Sequence, residues 1–102
     1  VRHPVTRTDV TTRPKLDEVD EKILKLIAAG ATNQGIARAL GVSTATTGRR
    51  LTTLFEKLGA KDRTHATVIG LAAKIFTVTD VQLPTWVQVE MYAVREAIPH
   101  GG

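Results

Sequence analysis

From Leu16 onward the apolar residues recur at helical intervals. Val19, Ile23, Leu26 and Ile27 fall three and four apart, which sets them on one face of a helix. Asp17 suits the N-cap of that helix, acids fill its first turn and Lys22 and Lys25 come later, an order that complements the helix dipole. Gly30 is the expected stop. Thr32 caps a second, short helix over 33–40, with Ile36, Ala37 and Leu40 turned inward and Gly41 breaking it. Ser43 caps a third, whose inner residues include Leu51, Leu54, Phe55 and Leu58, and Gly59 ends it. A fourth is predicted over 62–75, with Ala66, Ile69, Ala73 and Phe76 available for burial.

On either side of this block the pattern changes. Residues 1–15 mix Thr, Arg, Val and two prolines without helical periodicity and read as a flexible basic arm. Residues 77–83 are short and β-branched, a linker or one isolated strand. Pro84 and Thr85 then open a last helix, in which Thr85 and Gln88 have capping-box spacing. Val87, Met91, Val94 and Ile98 follow at spacings of 4, 3 and 4, an apolar seam on a helix that also carries Trp86 and Tyr92. The expected organisation is an arm over 1–15, a helical domain over 16–76, and a linker with a C-terminal helix over 77–102 that packs or dimerises.

Composition narrows the function. At 102 residues, 42 % hydrophobic and 24 % charged, the chain makes one small domain with a modest core. The absence of cysteine excludes a disulfide framework, a thiolate metal site and a cysteine nucleophile, and suits a reducing, cytoplasmic setting. No apolar run nears the roughly 18 residues of a membrane span, and Val1, Arg2, His3 and Pro4 begin no secretory signal. The net charge is +4, from 14 Lys and Arg against 10 Asp and Glu, a balance that suits a polyanionic partner. The arm carries Arg2, Arg7, Arg13 and Lys15 against Asp9, whereas the tail after residue 76 has Arg95 against Asp80, Glu90 and Glu96. The base-rich parts are therefore the arm and the central domain.

Catalysis finds no footing. His3, His65 and His100 are scattered, without the spacing of a metal site. Asp17, Glu18, Asp20 and Glu21 read as dipole compensation in a first helical turn, and no nucleophile or phosphate-cradling glycine loop accompanies them. No metal, cofactor or enzymatic activity is expected.

The second and third helices, joined by Gly41, Val42 and Ser43, have the build of a helix-turn-helix. A short turn with glycine swings the second helix roughly 90–120° from the first, and Ala37, four before Gly41, permits close approach. The longer helix can then enter a major groove while the shorter one crosses the phosphates. Beyond spacing, LDEVDEKILKLIAAG (16–30), TNQGIARALGVS (32–43), Thr46, KLG (57–59) and RTHA (63–66) resemble the LuxR-type (GerE-type) DNA-binding domain of bacterial transcription regulators. The resemblance covers about half the chain, or roughly 60 % with the fourth helix. It implies an all-α fold: a four-helix LuxR-like helix-turn-helix domain, here with an additional C-terminal helix. In that family the third helix reads DNA and the fourth often pairs domains as dimers. This chain departs from the usual pattern with Thr47, Gly48 and Arg50 where Val, Lys and His are common, and with Gln34 and Gly35 after Asn33.

The candidate DNA-binding residues are Thr32, Asn33, Arg38, Thr44, Thr46, Arg49, Arg50 and Thr52. Arg49 can fork onto guanine O6 and N7. Thr46 and Thr52 can donate to phosphate or touch a thymine methyl. Arg50 is placed on a half-buried position, where it bonds phosphate or pairs with an acid such as Asp20; Thr47 is placed at the core edge. Thr32 and Asn33 lie at a helix N-terminus, which favours a phosphate, and Arg38 is on the outer face of the same helix. Lys57 and Arg63 are assigned structural ion pairs, and the arm can follow a minor groove. Dimerisation is assigned to Ile69, Ala73, Trp86, Val87, Met91, Val94 and Ile98.

The sequence thus reads as a sequence-specific transcription regulator that binds double-stranded DNA as a homodimer, in the cytoplasm and without a membrane. The 15 residues before the domain are too few for a receiver or ligand-sensing unit, so a stand-alone regulator is expected. The rival is a helix-turn-helix turned into a module that binds another regulator or RNA polymerase, favoured by Gly35, Gly48 and the apolar, acidic tail.

Overall fold

The structure, a computed structural model, describes the backbone of residues 13–97 and the side chains through residue 93. Arg2, Arg7, His3, Ile98, His100 and the side chain of Val94 lie outside that description. Among the described residues the chain is helical throughout: α1 Glu18–Ala28, α2 Asn33–Leu40, α3 Thr44–Leu58, α4 Arg63–Ala72 and α5 Thr85–Ala97, with a 3-10 turn at Val78–Asp80. The 77–83 segment is accordingly a linker with one tight turn and no strand. No described helix is long and apolar enough to cross a membrane.

Each of the first four helices begins on a side-chain cap. Asp17 accepts the Asp20 N–H and Asp20 returns the bond to the Asp17 N–H, a reciprocal capping box; Thr32, Ser43 and Asp62 accept from Gly35, Thr46 and His65. Such caps answer N–H groups that the helix itself leaves open. Gly30, Gly41 and Gly59 sit at positive φ just past the ends of α1, α2 and α3, the left-handed conformation that glycine adopts without strain. The following residues close those ends by reaching back, as in Val42 N–H to the Ala37 carbonyl at 3.0 Å.

The core gathers Ile23, Leu24 and Ile27 of α1, Ile36 of α2, Leu51 and Leu54 of α3, Ala66 of α4, and Phe76 beyond it. The fourth helix is shorter than its periodicity predicts. It ends at Ala72, because Lys74 takes φ 58° and the Ile75 N–H returns to the Gly70 carbonyl at 2.8 Å. This is the closure that glycines make elsewhere, carried out by a lysine. The turn delivers Phe76 back onto the body, where its ring fills the space over Gly70: a Cβ there would lie 2.5 Å from Phe76 Cε2. Ala73, expected inside, is exposed as a result.

The last helix stands apart. The first four pack on one another, α2 on α3 and α1 on α4 foremost, whereas α5 packs on none of them to a comparable extent. Its start also differs from expectation, since the Gln88 side chain donates to the Leu83 carbonyl at 2.8 Å rather than completing a box with Thr85. Val87 and Met91 are half-buried, and Met91 faces a groove shared with Val78, Val81 and Leu83 of the linker.

Candidate nucleic-acid interface

The orientation of α3 follows from what it buries. Thr47, Leu51 and Leu54 lie in the core, and at 100° per residue the opposite side carries Ala45, Arg49 and Thr52, with Gly48 beside them. Ala45, Arg49 and Thr52 are exposed. The first turn is fixed twice over: Ser43 Oγ accepts the Thr46 N–H at 3.0 Å, and Thr47 Oγ1 donates to the Ser43 carbonyl at 3.0 Å. Thr47 is wholly buried, deeper than the core edge its sequence position suggested, and that bond satisfies its hydroxyl.

Several candidate groups are already engaged within the protein. Thr46 Oγ1 accepts from Ser43 Oγ at 3.0 Å and from Arg49 Nη2 at 3.2 Å. The second bond steadies the guanidinium on the outer face. Thr52 Oγ1 donates to the Gly48 carbonyl at 3.1 Å. Thr32 Oγ1 is occupied by the Gly35 N–H. Asn33 Oδ1 accepts from Arg63 Nη2, while Arg63 Nη1 donates to the Ala31 carbonyl at 2.9 Å. Arg63 is thus structural, as expected, yet through a carbonyl and an amide instead of an ion pair; it ties the start of α4 to the start of α2. Thr44 and Arg38 are exposed.

Lys57 takes the position that sequence reasoning offered to Arg50. Its Nζ donates to Asp20 Oδ2 at 2.8 Å, and the same oxygen accepts the Asp17 N–H at 3.1 Å. Asp20 is only 4 % exposed, so one carboxylate joins the capping of α1 to the second half of α3. Hydrogen bonding to Asp20 raises the Lys57 ammonium above the ordinary lysine range. The bond from the Asp20 N–H holds the Asp17 carboxyl below its ordinary value, helped by the charges of Lys57 and Arg50. Arg50 is exposed, not half-buried. It borders a shallow groove between the start of α1 and α3, along with Arg49, Thr46 and Thr53. Ala45 and Thr53 were not singled out from the sequence; the helical arc opposite Leu51 and Leu54 was the signal that would have found Ala45.

Of the residues assigned to dimerisation, the described ones differ in exposure: Ala73 and Trp86 are exposed, and Val87 and Met91 are half-buried. Ile69 is half-buried on α4, and Trp86 is 69 % exposed at the start of α5. Val68 and Leu71 on α4 and Val89 and Tyr92 on α5, absent from that assignment, are also exposed.

A short helix, a left-handed glycine turn and a capped longer helix with its polar side outward, set on a packed four-helix body, make up the helix-turn-helix domain of DNA-binding regulators. The particular family is then shown by comparison: the model of bacterial regulatory proteins of the luxR family (GerE) matches residues 18–69. The chain belongs to that family of regulatory proteins. It is 42 % identical over 64 residues to the transcriptional regulatory protein YdfI of Bacillus subtilis, covering 63 % of this chain. It is 36 % identical over 61 residues, 60 % of this chain, to the putative HTH-type transcriptional regulator YhjB of Escherichia coli. The chain spans about 30 % of the length of each relative.

Proposed function

We propose that this chain is a sequence-specific, DNA-binding transcription regulator that inserts α3 into the major groove and acts as a homodimer. The observation that carries this reading is the outer face of α3, which presents Arg49 and Thr52 to solvent while its opposite side is locked into the core. Arg49, held by Thr46, is the base-reading cation. Thr44 and Arg50 flank it toward the phosphates. The N-terminus of α2, at Thr32 and Asn33, meets a phosphate through backbone N–H groups, since both side chains are engaged internally. Arg38, on the outside of α2, adds a phosphate contact.

The same reading divides the chain into an arm over 1–15, the DNA-binding domain over 16–76 and a pairing element over 77–102. The exposed Val68 and Leu71 of α4 and Trp86 of α5 supply apolar surface for a second copy. That surface also favours a protein partner as the second reading.

Fluorescence anisotropy with duplex DNA over a salt series, alongside the mass in solution, tests both parts. The expected result is affinity falling log-linearly with salt, at a slope of about −0.9 per phosphate contact, and a dimeric mass. Arg49→Ala should weaken discrimination at one base position by ~1–3 kcal/mol. Binding that is absent even at low salt would move the function to the protein-binding reading.

A further inference from the structure

The outer face of α3 carries a short set of groups. Ala45, Gly48 and Thr52 stand three and four residues apart, neighbours on one helical arc beside Arg49. The Thr52 hydroxyl donates to the Gly48 carbonyl at 3.1 Å, which commits its proton inside the helix and leaves its methyl for apolar contact. A Cβ built on Gly48 meets nothing within 4 Å, and its φ is not left-handed. The missing side chain therefore serves neither packing nor the backbone. It leaves open space between Ala45 and Thr52, into which a methyl group can enter.

In the major groove thymine is set apart by its C5-methyl group, which alanine and threonine methyls meet by apolar contact. We infer that Ala45, Gly48 and Thr52 form a seat for thymine methyl groups, so that the DNA site is selected by methyl contact beside the base met by Arg49. The inference rests on the DNA reading proposed above. It names what that face selects: thymine by shape, without a hydrogen bond from Thr52.

The test uses the full chain and the duplex it enriches from a randomised pool. Each thymine is then replaced singly by deoxyuridine, which removes the C5-methyl and nothing else. Affinity should fall about fourfold at one or two positions, the worth of one buried methyl. Thr52→Ser, which keeps the hydroxyl, should erase that penalty at its own position, whereas Thr52→Val, which keeps the methyl, should preserve it. Gly48→Ala, which puts the protein's own methyl into that space, should weaken binding to the thymine duplex more than to the uridine one. Absence of a deoxyuridine penalty at every position overturns the inference and leaves DNA binding intact. So does a Thr52→Val variant that loses the penalty while Thr52→Ser keeps it. A chain that enriches no duplex overturns the DNA reading and this inference together.

Discussion

The four-helix body and α5 treat their large apolar side chains in opposite ways. In the body, Ile23, Leu24, Ile36, Leu54 and Phe76 are fully enclosed, and every helix starts on a side-chain cap. In α5, Trp86, Val89 and Tyr92 are all more than half exposed, while Val87 and Met91 are half-buried. The body closes its apolar surface with its own residues; α5 presents much of its own to the outside. That difference separates helices that seal a common core from a helix that leaves large apolar side chains in solvent.

Two substitutions of aromatic residues should break or establish this contrast most sharply. Phe76→Ala removes a ring from the sealed core and should cost about 3–5 kcal/mol. Trp86→Ala removes a larger ring from an exposed helix and should change stability by no more than ~0.5 kcal/mol. Urea unfolding, at dilutions where the chain is monomeric, measures both. A Trp86 variant as unstable as the Phe76 variant would erase the distinction.

A single methyl inside the body should also be felt. Gly70→Ala improves helix propensity by ~1 kcal/mol, yet its Cβ would stand 2.5 Å from the Phe76 ring. Overpacking of that kind costs ~1–3 kcal/mol, so the net effect is a loss of stability. If the variant is instead stabilised, the Phe76 ring moves aside readily and the core is looser over α4 than over α1.

These positions also mark where the sequence was legible. Starts and stops that used Asp, Ser, Thr and Gly were readable, because each cap acts within three or four residues of its own helix. The end of α4 was not, since Lys74 adopts the conformation that glycine announces elsewhere. Phe76, just past the predicted helix, was expected to be available for burial; it is buried because the turn at Lys74 brings it back over Gly70. The sequence leaves the partner of Asp20 open for a different reason: it offers Arg50 as one alternative and gives Lys57 an ion pair without a named acid. Lys57 lies 37 residues away, and no local period distinguishes it from Arg50, a neighbouring base on the same helix. Thr46 and Thr52 were legible as residues of the third helix. What they offer depends on hydroxyl bonds to Ser43, Arg49 and Gly48 that composition does not reveal.

On the outer surface of α3 the added methyl should act in the other direction from Gly70. Gly48→Ala meets no atom within 4 Å and should stabilise the body by ~0.5–1 kcal/mol through helix propensity. Thermal melting checks it. An equal loss at Gly48 and Gly70 would mean that α3 is as crowded outside as α4 is inside.

The smallest effect is expected from pH, because Lys57 and Asp17 lie at the surface, where solvent screens charge. Asp17 titrates below its ordinary value when folded, so its contribution is complete above the unfolded value and is lost as pH falls through the lowered one. Lys57 titrates above its ordinary value. Its contribution is complete below the unfolded value and is lost as pH rises through the raised one. Urea midpoints should therefore show a plateau with an acid and an alkaline shoulder. Asp17→Asn keeps a competent cap and should flatten the acid shoulder while leaving the plateau nearly unchanged. Asp17 caps α1 and Lys57 ties α3 to α1 through Asp20, so these shoulders belong to the body. Trp86 is the chain's single tryptophan and reports on α5 alone. At monomeric dilution, in urea near the midpoint, its emission should stay at a solvent-exposed wavelength along the acid shoulder while ellipticity falls. Emission that shifts in step with ellipticity would show Trp86 covered by its own body, and the contrast between the two regions would fail.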